Sequence, residues 1–227
     1  MTFSLVARCP MTGMFGVVVS SSSPAVAARC AHARAGVGAV TTQNVTDPRL
    51  GPQLLDAMQG GASAAEAMRS VVVGAEHAEF RQLTAVDALG GTASYSGERT
   101  LGTYRAVEGV GAVAAGNLLA SPDVPVAIIG GFMARGQDDL GDRLIYALGM
   151  ALAAGGEEGP VHSAGLVLVD QVPWYVADLR VDWSDDPIGE LARLWELWKP
   201  QMNDYVTRAL NPTAAPSYGV PGDPGSS

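Results

Sequence analysis

The residues best suited to chemistry in this chain are hydroxyl and amide side chains gathered at the ends of apolar runs. The first is Thr2, at the head of Thr2-Phe3-Ser4-Leu5-Val6-Ala7-Arg8. A small second residue favours removal of Met1, which would leave Thr2 with a free α-amine. A hydroxyl is a poor nucleophile at neutral pH, but an α-amine with a reference pKa of about 7.7 to 8.0 on the same residue can take its proton. Such a pair can attack an amide carbonyl, hold the acyl group as an ester and release it to water. Processing preference alone also selects threonine at this position, so the weight falls on what surrounds it.

A second run, Phe15-Gly16-Val17-Val18-Val19-Ser20, continues into Ser21-Ser22-Ser23 and returns hydroxyls to the chain start. Ser20 and Ser21 are candidates to orient the α-amine; otherwise they simply form a turn. A tetrahedral oxyanion needs donors. Asn117, after the apolar run ending at Gly116, is the best single candidate, with backbone N–H groups near Thr42 and Gln43 as others. The alternative for Asn117 is a left-handed turn residue. Ser4 shares a strand face with Thr2 and Val6, while Phe3, Leu5 and Ala7 share the other. Arg81 could anchor a substrate carboxylate or pair with one of the chain's own acids, and Gln43 and His162 are candidate polar wall residues.

Composition excludes several classes. The 227 residues, 48% hydrophobic, suit one domain with a sizeable core. Apolar runs stop well short of the roughly 18 residues that span a bilayer, and no basic segment precedes one at the N-terminus, so a soluble, cytoplasmic protein is expected. A net charge of −9 argues against a nucleic-acid partner. Cys9 and Cys30 are too few for a disulfide framework, and His32, His77 and His162 lack metal-ligand spacing. Neither a catalytic metal nor a cofactor is expected.

The elements that must position these groups follow from period and punctuation. Residues 2–8 and 15–22 read as a hairpin across Cys9-Pro10-Met11-Thr12-Gly13, and 36–43 as a third strand, with 24–34 a short helix or loop between them. Leu50, Leu54, Leu55 and Met58 mark a helix, and Ser63-Ala64-Ala65-Glu66 is a capping box for the next. A second hairpin turns at Gly90-Gly91, a single strand spans 105–115, helices follow over 124–133 and 140–154, and a last hairpin covers 163–181. Asp186-Pro187 starts a terminal helix carrying Leu191, Leu194, Trp195 and Trp198; Pro200 should kink or end it before Met202 to Leu210. Residues 1–210 form the expected single domain, and 211–227, rich in Pro, Gly and Ser, a disordered tail. Strands, helix pair, strands, helix pair, strands and helix in that order predict an α+β, four-layer αββα sandwich of two mainly antiparallel sheets. The Trp195 and Trp198 stripe beside Trp183 suggests core or a homodimer contact.

The opening Thr2 to Arg8, the Gly36-Val37-Gly38-Ala39-Val40-Thr41-Thr42-Gln43 segment, Phe80-Arg81-Gln82, Gly116-Asn117-Leu118-Leu119-Ala120, His162-Ser163-Ala164 and the stretch from Leu179 to Leu191 resemble one bacterial family. It is domain of unknown function 1028, grouped with the N-terminal-nucleophile (Ntn) hydrolases. The resemblance runs from Thr2 to about Leu197. It implies the four-layer Ntn fold shared with proteasome β subunits and many amidohydrolases, with the nucleophile heading the first strand.

The reading is therefore a hydrolase of a small amide or cyclic amide, acting on non-peptide C–N bonds through Thr2 and Asn117. The alternative is a catalytically silent Ntn-like small-molecule-binding or accessory protein. Gly109-Val110-Gly111-Ala112-Val113-Ala114 fits a loose dinucleotide fingerprint but lacks the βαβ setting, and no G-x-S-x-G elbow supports a Ser-His-Asp enzyme.

Overall fold

Strict alternation at the chain start produces a strand whose two faces do different work. In the computed structural model, which describes residues 1–220, β1 (Thr2–Arg8) and β2 (Phe15–Ser21) form the expected hairpin, with Phe3 opposite Ser20 and Arg8 opposite Phe15. Phe3, Leu5 and Ala7 enter one apolar core, while Val6 enters another with Val17 and Val19.

The chain continues through α1 (Ala27–Cys30), β3 (Ala31–Arg34), β4 (Gly38–Asn44), α2 (Leu50–Gln59), α3 (Ala64–Gly74), β5 (Arg81–Asp87) and β6 (Thr92–Ser96). It then forms β7 (Arg105–Gly109), β8 (Ala112–Asn117), α4 (Val124–Ala134), α5 (Leu140–Ala153), β9 (Ser163–Val169), β10 (Tyr175–Val181), α6 (Pro187–Trp198) and α7 (Met202–Leu210). One sheet has the order β10-β9-β2-β1-β8-β7 and the other β3-β4-β5-β6, and the strand pairings are antiparallel.

Three apolar clusters define four layers. Phe3 and Leu5 pack beneath Ile128 and Phe132 of α4 and Leu144 and Leu148 of α5. Val17, Val19, Ala39, Val86, Val113 and Val167 fill the space between the sheets. Val40, Leu83 and Ala85 meet Leu50 and Leu54 of α2 and Met68 of α3 on the far side. This is the α+β αββα sandwich that the element order implied, and it leaves β1 in mid-sheet with neighbours on both edges.

Local chemistry sets the boundaries. Ser63 and Glu66 exchange both hydrogen bonds of the capping box, and Asp186 accepts from the Gly189 N–H at 3.1 Å to cap α6. Two expectations need correction. Residues 31–34 are a strand, because pairing with β4 supplies what Ala-His-Ala-Arg lacks in β-propensity. The single strand expected over 105–115 is a hairpin, turning at Val110-Gly111 with Gly111 at φ +63°.

The aromatic stripe of α6 is largely internal. Trp195 is buried and donates to Asp142 Oδ1 at 2.7 Å, and Trp198 donates to the Val176 carbonyl at 2.9 Å. Trp183 remains 61% exposed. Beyond α7, residues 212–214 make one 3₁₀ turn and Tyr218 lies over the Arg208 guanidinium at 3.9 Å. The remainder of the expected tail, 221–227, lies outside the described residues. No described helix is long and apolar enough to cross a membrane.

One close approach makes a stability prediction. A Cβ on Gly38 would stand 2.4 Å from the Val86 carbonyl oxygen, a backbone atom held in the β4–β5 ladder. Gly38→Ala is expected to lower stability by about 1 to 3 kcal/mol, read from the urea midpoint; an unchanged midpoint would show that this ladder yields.

Candidate functional site

Strand register builds the site. Thr2 is the direct partner of Asn117 on β8, and the β1–β2 register carries Ser21 to its other side. Directly opposed residues share a face with Cβ atoms about 4.5 to 5.5 Å apart. Thr2 is only 5% exposed, with its Oγ1 3.4 Å from Ser21 Oγ. In the chain with Met1 attached, both hydroxyls donate to the Met1 carbonyl oxygen. Ser21 Oγ also accepts from the Ser23 N–H at 3.0 Å. Ser163, opposite Ser21, ties down the same segment: its hydroxyl donates to the Ser23 carbonyl at 2.6 Å and accepts from the Val26 N–H.

Asn117 ends β8 completely buried, and the left-handed residue is the next one, Leu118, at φ +51°. Its Nδ2 donates to Gln82 Oε1 at 3.1 Å, and its Oδ1 is a buried acceptor without a partner. Gln82 belongs to a buried polar chain between the sheets. Its Nε2 donates to the Gly116 carbonyl at 3.1 Å and to Ser96 Oγ at 3.0 Å, while its Oε1 also accepts from Gln43 Nε2 at 2.8 Å. Gln43 Oε1 in turn accepts from Ser4 Oγ at 2.7 Å.

A carboxylate completes the surroundings. Gly155 and Gly156, at φ +111° and +58°, turn the chain after α5 back toward β1, and Glu157 bridges to Leu119. Its carboxylate, 4% exposed, accepts from the Ser22 N–H at 3.1 and 3.3 Å. Burial pushes the Glu157 carboxyl up to about 7, against the opposing pull of the chain's α-amine, the Ser22 hydrogen bonds and His162. Sequence reasoning missed this residue: within Gly-Gly-Glu-Glu-Gly an acid looks like a solvated loop.

The profile of the family of unknown function DUF1028 matches residues 2–191, from the threonine of this site into α6. The chain belongs to the DUF1028 family. The solved structure of protein SPO2555 from Silicibacter pomeroyi, described as DUF1028, is similar at 26% identity with a TM-score of 0.82, covering 90% of this chain and 89% of that one. Anbu (ancestral β-subunit) from Yersinia bercovieri is similar at 11% identity and a TM-score of 0.40, covering 90% and 97% of the two chains. An Anbu Gly-1 mutant from Hyphomicrobium sp. strain MC1 gives 10% identity, 0.44, and 91% and 99%. A search of the curated proteins found no match.

The other candidate residues of this DUF1028 chain are distributed unevenly. Ser4 and Gln43 are joined in the polar chain below Thr2. Ser20 pairs with Phe3, so it shares the helix-facing side, and its hydroxyl donates to the Ser163 carbonyl at 2.9 Å. Thr42, alternating with Thr41 and Gln43, donates to the Asp47 carbonyl at 3.1 Å. Neither is brought to Thr2. Arg81, opposite Asn44 at the head of β5, donates to the Val45 carbonyl. His162 donates its backbone N–H to the Ser21 carbonyl at 2.8 Å, but its ring stacks on Trp183 at 4.3 Å with Nδ1 against the Ser184 carbonyl. Among the described residues no group of three or more His, Cys, Asp or Glu side chains is arranged to hold a metal ion.

Proposed function

We propose that this chain is an Ntn-type amidohydrolase that opens a small amide or cyclic amide with Thr2, freed by removal of Met1, as its nucleophile. The observation that carries this reading is the setting of Thr2: it heads a strand in mid-sheet, with the Ser21 hydroxyl at 3.4 Å on one side and Asn117 in register on the other. Thr2 Oγ attacks the carbonyl, its own amine takes the proton, and the amine product leaves behind an acyl ester that water hydrolyses. Ser21 orients the amine. The scarcity of aromatic side chains, 6% of the chain, favours a compact substrate over a protein chain, and the reaction needs no cofactor.

A silent binding or accessory role is favoured only for protein that keeps Met1, whose carbonyl engages both hydroxyls. Intact mass and peptide mapping after exposure to a β-lactone test the proposal. The expected result is loss of Met1 and one adduct, on Thr2; retained Met1, or an adduct elsewhere, overturns it.

A further inference from the structure

The polar chain between the sheets fixes which end of the Asn117 amide is available. The Gly116 carbonyl can only accept, so the atom of Gln82 facing it at 3.1 Å must be Nε2. The opposite atom, Oε1, therefore faces Asn117 and Gln43, and both must donate to it. Turning the Asn117 amide over would set two acceptor oxygens against each other at that contact. Asn117 Nδ2 is thus committed to Gln82, and Oδ1 is left as a fully buried acceptor beside the residue it pairs with, Thr2.

An unpartnered buried carbonyl oxygen calls for a donor. When Met1 leaves, the Thr2 hydroxyl loses the Met1 carbonyl but keeps Ser21 Oγ, 3.4 Å away, as a partner. The group that gains hydrogens when Met1 leaves is the α-nitrogen, which passes from an amide with one N–H to an ammonium with three.

We infer that Asn117 offers its amide oxygen to the α-amine of Thr2, so that it positions the catalytic base, a role distinct from oxyanion donor. This rests on the reading of Thr2 as the nucleophile. Glu157, which feels the α-amine of Met1, and His162 are the titratable groups of this region, and Arg81 is held at the Val45 carbonyl. Asn117 supplies a neutral acceptor fixed by its bond to Gln82.

The test reads the amine directly. Competitive acetylation with acetic anhydride across the neutral pH range gives the titration of the Thr2 amine, with Lys199, the chain's single lysine, as internal reference. Asn117→Asp keeps the shape and strengthens the acceptor, and is expected to raise the amine pKa by about 1 to 3. Asn117→Leu is expected to lower it, and Gln82→Met, which releases the Asn117 amide without touching Thr2, to lower it less. An amine titration unmoved by Asn117→Asp and Asn117→Leu overturns the inference. If both variants at the same time slow β-lactone labelling of Thr2 by about 10² to 10³-fold, Asn117 is an oxyanion donor instead. Because acetylation needs no turnover, a titration that responds as expected in protein that never reacts with β-lactones leaves the contact standing and removes only the nucleophile reading.

Discussion

Thr2→Ala is expected to abolish amide hydrolysis, with turnover falling by about 10⁴ to 10⁶-fold. Loss of the nucleophile in a covalent hydrolase leaves only binding and oxyanion stabilisation to act on the substrate, and losses of this size follow. The α-amine remains in the variant, so general-base capacity survives without an acyl acceptor. The fold should survive as well: the side chain removed is small, and β1 keeps its ladders to β2 and β8. Thr2→Ser keeps the hydroxyl beside Ser21 and is expected to retain activity within about tenfold, the lost methyl group costing only positioning. The measurements are turnover on a panel of small and cyclic amides, the mass of the β-lactone adduct, and a thermal melt to confirm folding. Hydrolysis by Thr2→Ala at the wild-type rate would remove Thr2 from the mechanism.

The second large effect concerns stability against pH. Burial lifts the Glu157 carboxyl from an ordinary 4.5 to about 7, so between those values the native chain holds a proton that the unfolded chain has released. This contribution is therefore most favourable below pH 4.5, declines as pH rises through the window, and above 7 leaves the fold weaker by at most about 3 kcal/mol. Glu157→Gln removes the titration and keeps an acceptor for the Ser22 N–H. The variant should be more stable than the parent above pH 7, and nearly equal to it below 4.5, in urea midpoints taken across the range. Parallel midpoint curves for the two proteins would show that Glu157 titrates normally.

The fold was legible wherever period and punctuation acted locally. The β1–β2 hairpin needed only alternation and a Pro/Gly turn, and the Ser63 and Asp186 caps were readable from their residue types. Strand β3 was not, because Ala31–Arg34 carries no β-branched residue and owes its conformation to a partner. The same contrast holds at the site. Thr2, Ser21 and Asn117 could be named from strand ends, but which serine of a run faces Thr2 depends on a register of one residue. Gln82, named only within a resembling segment, and Glu157 received no role for a related reason. Their roles come from contacts between sheets and from a glycine-directed loop, long-range pairings that no local pattern in this sequence encodes.

Burying Thr2 in mid-sheet also imposes an order of events in time. Chain termini ordinarily fray and stay open to exopeptidases, but here the bond between Met1 and Thr2 is drawn into the fold, with its carbonyl engaged by two hydroxyls. Under the proposed function, trimming is expected to come first, while the nascent strand is still free. A methionine aminopeptidase added to folded protein that kept Met1 is expected to remove it far more slowly than from the nascent chain, read from intact mass over time.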